Sequence, residues 1–181
     1  MTKYWWICAL VAACCLTSCG SSEVTQNLSA EERFTLGKQK FENGDYLEAI
    51  GDFEIIKLQF PGSGVADDAE FYLAECRFRK EEFLLAAEEY QSLRRNMQTS
   101  SFVPLAQYNT ALCYYNLSPQ SPLDQKYTNK AIEEFQAFIE YFPKDEHVPD
   151  AEVKIRELIG RLAQRLYETA ELYMKLEYYK S

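Results

Sequence analysis

The sequence is poor in several residue types, and each shortage excludes a class of protein. Only two cysteines, Cys76 and Cys113, lie beyond residue 19, which excludes a disulfide framework. His147 is the single histidine, and no Cys–His metal spacing, nucleophile elbow or phosphate-binding glycine loop accompanies it. The net charge of −9 disfavours nucleic acid as a partner. We therefore predict a protein that is not an enzyme and needs no metal or cofactor.

The N-terminus carries the pattern of a secreted, lipid-anchored protein. Lys3 precedes an apolar run over residues 4–16, which is shorter than the roughly 20 residues of a membrane-spanning helix. Residues 1–18 are therefore predicted to be a signal peptide. Leu16, Thr17, Ser18 and Cys19 resemble the lipobox of bacterial lipoproteins, which implies that Cys19 is lipidated and becomes the mature N-terminus. A plain signal peptide or an uncleaved anchor is the alternative.

Beyond a polar tether at residues 19–30, apolar residues recur with a period of 37 residues. In the first helix of each repeat, an aromatic residue is followed by a small residue. In the second helix, a small residue is followed by an aromatic residue. The first-helix series is Phe34, Phe71 and Tyr108 with Gly37, Ala74 and Ala111; the second-helix series is Ala49, Ala86 and Ala131. This order and period are typical of the tetratricopeptide repeat, in which small residues let two helices approach closely.

We predict an all-α fold, a tetratricopeptide-like helix-hairpin solenoid forming a right-handed superhelix of about three and a half repeats over residues 31–181. The units are expected at 31–64, 68–101 and 104–143, with an extra helix at 149–165 and a partial unit at 166–181. An insertion within 118–127 is expected to be a loop, either simple variation or a contact loop.

The partial last unit is expected to leave apolar surface exposed, because a solenoid unit buries its apolar face only against neighbours. We interpret the sequence as the N-terminal part of a longer protein. The alternative is that a partner protein or a second copy covers this end.

The first helices are expected to line the concave face, where aromatic residues would form a groove for an extended peptide. Lys38, Lys40, Arg77 and Arg79 are candidates to meet a peptide carboxylate. The opposing interpretation is that the aromatics are ordinary core and the basic residues a solvated face. The candidate groove residues are Phe34, Lys38, Phe41, Phe71, Arg77, Phe78, Tyr108 and Tyr115.

Cys76 and Cys113 occupy the same repeat position, two residues after the small alanine. Cysteine suits a buried site, and neighbouring helices of such an array lie about 8–10 Å apart, too far for easy bridging. Both cysteines are therefore predicted to be buried free thiols.

The order of lipobox, short tether, three units and an insertion in the third resembles the BamD (ComL) family of outer-membrane assembly lipoproteins. The resemblance covers essentially the whole chain after Cys19. The residues that carry it are Ala131-Ile132-x-x-Phe135, Tyr141-Phe142-Pro143, Asp150-Ala151, Leu162-Ala163 and Tyr167-x-x-Ala170-x-x-Tyr173.

The resemblance implies a lipid-anchored scaffold on the periplasmic face of the outer membrane, in the machine that inserts β-barrel proteins. It implies as partners unfolded outer-membrane β-barrel proteins, a BamA-like barrel subunit and other lipoproteins of the machine. Family members have five repeats, and the N-terminal repeats are thought to receive the substrate. The alternative function is a repeat scaffold lipoprotein of another cell-envelope complex.

Overall fold

The computed structural model describes residues 28–120 and 123–176, and within these ranges it contains α-helices and no strands. The predicted signal peptide and Cys19 lie outside the described residues. The helices are α1 (Ala30–Asn43), α2 (Tyr46–Gln59), α3 (Ala66–Arg79), α4 (Phe83–Asn96), α5 (Val103–Leu117), α6 (Lys126–Tyr141) and α7 (Val148–Lys175).

The helices begin and end at residues with recognisable local chemistry. Ser29 caps α1 through its side chain, which accepts from the backbone N–H of Glu32, while the Glu32 carboxylate accepts from the backbone N–H of Ser29. Prolines lie in the first turns of α5 and α7, where the missing N–H is not needed. Gly44 ends α1 with a φ of 86°, a conformation that glycine adopts without steric cost.

The helices pack as consecutive hairpins, α1 with α2, α3 with α4 and α5 with α6, and each hairpin packs on the next. The large second-helix aromatics Phe53, Tyr90 and Phe135 are fully buried between hairpins. Two buried clusters run through the array. One joins the first and second hairpins, and the other joins the second hairpin, the third hairpin and α7. The predicted tetratricopeptide-like all-α solenoid is confirmed.

Gly37 explains why the first helix of a unit carries a small residue. A Cβ atom at this position would lie 2.9 Å from Cε1 of Phe53 and 3.2 Å from Cβ of Asp52, both on α2. The equivalent residues Ala74 and Ala111 are completely buried. The small residue therefore sets how closely the two helices of a hairpin approach.

Residues 148–175 form one continuous helix, whereas an extra helix and a separate partial unit were expected on either side of residue 166. The sequence offers no reason for a break, because residues 161–175 contain neither glycine nor proline and are rich in strong helix formers. The first half of α7 packs through Ala151 and Leu158, both fully buried.

The second half of α7 extends away from the described core. Leu166, Tyr167 and Met174 are 71%, 67% and 67% exposed. Among the described residues, no helix combines the length and apolar character needed to cross a membrane.

Cys76 and Cys113 are buried free thiols, as predicted. Burial, reinforced by the nearby negative charge of Glu75, raises the pKa of Cys76 to about 12. The same two causes raise the pKa of Cys113. Neither thiol is therefore ionised at neutral pH, and both act as small core residues.

A buried polar cluster fixes the ends of the insertion between α5 and α6. The hydroxyl of Ser118 lies 2.7 Å from that of Thr128, which donates to Oε1 of Gln125 at 2.6 Å. Arg161 of α7 donates to the backbone carbonyl of Ser118 at 3.3 Å. The two ends of the insertion are thus held against the solenoid and α7.

Candidate functional site

The first helices α1, α3 and α5 border an open cavity of about 420 Å³ on one face of the solenoid, which we call the groove. Its volume falls within the range of small-molecule and peptide-side-chain pockets. The residues that line it are Phe41, Phe71, Tyr72, Glu75, Phe78, Arg79, Leu105 and Asn109. Three of the predicted aromatic residues, Phe41, Phe71 and Phe78, are therefore brought together.

The apolar walls of the groove are themselves firmly packed. Phe71 is only 6% exposed and stacks on Phe102 with ring centroids 4.4 Å apart. Tyr72 packs edge-on against both Phe41, at 5.2 Å, and Phe71, at 5.7 Å. Phe78 is partly exposed and packs edge-on against Phe83 at 5.3 Å. Phe41 and Phe78 thus offer accessible surface, whereas Phe71 is mainly a core residue.

A polar network lies within this apolar surface. Oε1 of Glu75 accepts hydrogen bonds from the hydroxyl of Tyr90 and from the amide of Asn109, the latter at 2.9 Å. The Asn109 amide also lies 3.2 Å from the Tyr90 hydroxyl oxygen. Burial, followed by the negative charge of Glu75, raises the pKa of Tyr90 well above its usual value. Tyr90 therefore stays neutral and donates, and Glu75 is held in place by the two donors.

Of the four basic residues predicted to meet a peptide carboxylate, only Arg79 lines the groove. Its side chain is 57% exposed, and its Nε lies 4.0 Å from Oε2 of Glu75. Lys40 instead pairs with the buried Asp52 at 2.6 Å. Lys38 donates to the Tyr72 hydroxyl at 2.5 Å. The cationic character of the groove therefore rests on Arg79.

Arg77 does not line the groove, although its helix does. Its guanidinium lies 2.8 Å from Glu54, 3.4 Å from Glu82 and 3.7 Å from Glu89, on the side of α3 that faces α2 and α4. Arg77 and Arg79 are two positions apart along the helix, which turns their side chains to different faces. The two arginines consequently have different roles: Arg77 joins second helices and Arg79 borders the groove.

Phe34, Tyr108 and Tyr115 also lie outside the groove. Phe34 packs between Phe53 and Tyr72, with ring centroids 5.9 and 6.0 Å away. Tyr108 is buried and donates to Asp150, and Tyr115 donates to Glu157.

The two tyrosines of α5 connect it to the segment that starts α7. The ring of Tyr108 lies 4.7 Å from that of His147, and the ring of Tyr115 lies between Lys154 and Arg161, at 4.9 and 4.8 Å. These contacts dock α7 on the third hairpin. The predicted aromatic series is therefore divided between core packing, the groove and α7 docking.

Glu75, Tyr72, Leu105 and Asn109 line the groove but were not predicted from the sequence. Glu75 follows Phe71 by four residues and precedes Phe78 by three, a spacing that places all three on one helix face. That spacing could have revealed Glu75, because an acidic residue between two aromatics is unusual on a buried face. Asn109 occupies the same repeat position as Tyr72, and no sequence signal marks it.

A second cavity of about 470 Å³ lies on the second-helix side, between α4, α5 and α6. Its polar groups largely pair with one another: Glu134 accepts from Arg94 at 3.3 Å and from the buried Gln107 at 2.7 Å. The groove is the candidate site because four of the residues predicted to bind a peptide line it, namely Phe41, Phe71, Phe78 and Arg79. Within the two described ranges, no cluster of His, Cys, Asp or Glu could hold a metal.

Comparison with known proteins places the chain in a family. The family model described as YfiO, outer membrane lipoprotein, matches residues 26–181. The chain is 24% identical over 164 residues to "Outer membrane protein assembly factor BamD" of Neisseria gonorrhoeae, an alignment covering 85% of this chain and 61% of that protein. Proteins of the same name from Pasteurella multocida and Caulobacter vibrioides are 21% and 22% identical, over 91% and 93% of this chain.

The chain spans only part of these relatives' length. The alignments cover 67% of the Pasteurella protein and 57% of the Caulobacter protein. The family resemblance predicted from the sequence is confirmed by these matches.

Proposed function

Because the chain belongs to the family described as YfiO, outer membrane lipoprotein, we propose that it is a lipid-anchored scaffold in the assembly of outer-membrane β-barrel proteins. Cys19 is the proposed site of lipidation, since it follows a short apolar run and closes a lipobox-like tetrapeptide. The names of the relatives, outer membrane protein assembly factors, support this role. The scaffold acts on the periplasmic face of the outer membrane and catalyses no reaction.

The groove is the proposed binding site for segments of unfolded β-barrel proteins. The observation that carries this proposal is the convergence of Phe41, Phe78 and Arg79 from two first helices on one cavity of about 420 Å³. Barrel strands alternate apolar and polar residues. An extended strand can therefore insert its aromatic side chains between these rings while a carboxylate pairs with Arg79.

Binding in this groove needs little rearrangement, because its walls are already packed. Glu75 is held by Tyr90 and Asn109, and Tyr72 is held by Phe41 and Phe71. A preformed surface avoids the entropic cost of ordering side chains on association. Holding the segment near the bilayer through Cys19 raises its effective concentration at the insertion machine. A BamA-like barrel subunit and other lipoproteins of the machine are the proposed partners.

Photo-crosslinking tests this proposal directly. A photoreactive phenylalanine analogue replaces Phe78 in one variant and Leu58 in a matched control; Leu58 is 78% exposed on α2, outside the groove. Each variant is mixed with a urea-unfolded outer-membrane β-barrel protein and irradiated. We expect a crosslinked adduct from position 78 and little from position 58. Equal yields from both positions would contradict binding in the groove.

A further inference from the structure

The acidic group of the groove has an unused acceptor atom. Both hydrogen bonds that Glu75 accepts, from Tyr90 and Asn109, end on Oε1. Among the described residues no hydrogen bond to Oε2 is present, and Nε of Arg79 lies 4.0 Å away, beyond hydrogen-bond distance. A carboxylate offers about four acceptor positions on its two oxygens. Oε2 can therefore accept from a ligand, on the side where Arg79 borders the groove.

The surroundings of Oε2 restrict the kind of donor that fits. The walls are the aromatic side chains of Phe41, Tyr72 and Phe78, which favour an aromatic guest over a polar chain. A lysine would bring its positive charge close to Arg79. A phenol brings a neutral donor at the tip of an aromatic ring, so it satisfies both the walls and the carboxylate.

We propose that Glu75 is a specificity-determining residue that selects, in the bound barrel segment, a tyrosine over a phenylalanine. The tyrosine ring packs against Phe41 and Phe78, and its hydroxyl donates to Oε2 of Glu75. This inference rests on the proposed function, because it assumes that the groove binds an extended segment. Tyr90 and Asn109 act as positioning residues, since their hydrogen bonds hold the carboxylate through Oε1.

The selection arises from desolvation of Glu75. The Glu75 side chain is 15% exposed, so a bound aromatic ring excludes most of the remaining water from its carboxylate. A phenylalanine leaves Oε2 without a partner in that desolvated state, whereas a tyrosine replaces the lost water. A hydrogen bond to a charged group stabilises more than a neutral one, enough for about tenfold in affinity.

The test compares synthetic peptides of about ten residues, the length of one transmembrane strand, that differ only at one aromatic position. Tyrosine, phenylalanine, O-methyltyrosine and lysine peptides are titrated against the purified full chain. We expect the tyrosine peptide to bind about tenfold more tightly than the phenylalanine peptide. O-methyltyrosine keeps the ring and loses the donor, so its peptide should bind no more tightly than the phenylalanine peptide.

A Glu75→Gln variant provides the matched change in the protein. An amide oxygen can still accept from Tyr90 and Asn109, but the charge-assisted bond to the ligand is lost. The preference for tyrosine should fall to about twofold or less, and the phenylalanine peptide should bind more tightly than it does to the wild type, because a neutral amide costs less to desolvate than a carboxylate. The O-methyltyrosine comparison needs no variant, so it tests the requirement for a hydroxyl donor even if Glu75→Gln folds poorly.

The outcomes separate this inference from the proposed function. Equal binding of the tyrosine and phenylalanine peptides would overturn the role of Glu75 and leave the groove as a binding site. Tighter binding of the lysine peptide would also overturn it, because the carboxylate would then select a cation. Failure of all four peptides to bind would contradict the proposed function itself.

Discussion

At the scale of single residues, Gly37 and Gly51 show that similar glycines in neighbouring helices have opposite effects. A Cβ at Gly37 would lie 2.9 Å from the ring of Phe53, whereas Gly51 on α2 is exposed with open space around it. Gly37→Ala should lower the free energy of unfolding by roughly 1–3 kcal/mol through overpacking.

Gly51→Ala is the matched control and should raise the free energy of unfolding by about 0.5–1 kcal/mol, because alanine costs less backbone entropy in a helix. Urea unfolding followed by circular dichroism measures both. Changes of the same sign in the two variants would contradict the role assigned to Gly37.

Lys57 provides the positive charge that pairs with buried acidic side chains between hairpins. It lies 3.2 Å from Glu70, which is almost fully buried, and 2.5 Å from Glu89. Burial alone would lower the pKa of Lys57, but the hydrogen bond and charge of Glu89, with those of Glu70, raise it above its ordinary value. Lys57→Ala should cost on the order of 2 kcal/mol, since it leaves a buried carboxylate unpaired.

The contribution of Lys57 should also depend on pH in a defined direction. A pKa raised on folding stabilises the protein below the unfolded pKa, near 10.5, and the stabilisation is lost as pH rises through the folded pKa. The difference between wild type and Lys57→Ala in urea unfolding should therefore be full at pH 7 and shrink above pH 10.5. The control Lys144→Ala, at an exposed lysine, should change stability little at either pH.

At the scale of helices, the ends of α1 and α3 have the same geometry with different residues. Gly44 and Glu81 are 37 residues apart, with φ values of 86° and 60°. The next residue in each case donates to the carbonyl five positions back: Asp45 to Lys40 and Glu82 to Arg77, both at 2.9 Å. Only the first of these ends has the glycine that the left-handed conformation favours.

Glu81→Gly should therefore stabilise the protein by roughly 0.5–1 kcal/mol, because it removes the steric cost of a left-handed non-glycine residue. Gly44→Ala introduces that cost and should destabilise by about 1 kcal/mol. Thermal unfolding of the two variants provides the measurement. A loss of stability in Glu81→Gly would show that the Glu81 side chain matters more than its backbone conformation.

The two halves of α7 are expected to contribute unequally to stability. All described residues from 169 to 176 are exposed, whereas Leu158 is completely buried. Deleting residues 167–181 should change the free energy of unfolding by less than about 1 kcal/mol. Deleting residues 156–181 removes Leu158 and should cost roughly 3 kcal/mol or more. A large loss from the shorter deletion would mean that the exposed half packs against something.

The hairpins were predictable from the sequence because each repeat carries a small residue in both of its helices. Gly37 and Ala49 mark the close approach of two helices, and the equivalent alanines repeat the signal. The continuity of α7 was harder to predict from the sequence. The expected helix boundary at residue 166 rested on the repeat register and not on a helix-breaking residue such as glycine or proline. Local propensity, which favours an unbroken helix there, is the stronger influence.

The groove was only partly predictable, for a similar reason. Phe41, Phe71 and Phe78 follow from helical spacing, but the direction of Arg77 is decided by Glu54 and Glu89 on other helices. Because such partners are distant in sequence, no local sequence pattern identifies them. Composition does not distinguish Glu75, because it is one of 28 acidic residues in the chain.

At the scale of the whole molecule, the proposed binding role rests on an acidic solenoid that carries an aromatic groove. The groove combines four aromatic side chains, one guanidinium and one held carboxylate. This set can recognise an extended segment by shape, charge and one directional hydrogen bond.

The affinity of groove variants for a peptide from the C-terminal strand of an outer-membrane β-barrel protein tests the central claim most directly. Phe78→Ala removes accessible aromatic surface from the groove, and Leu58→Ala removes exposed apolar surface from α2. Isothermal titration should show that Phe78→Ala binds the peptide about tenfold or more weakly, because the variant no longer buries one aromatic side chain against it. Leu58→Ala should bind with unchanged affinity. Unchanged affinity in Phe78→Ala, with folding intact by circular dichroism, would contradict the account.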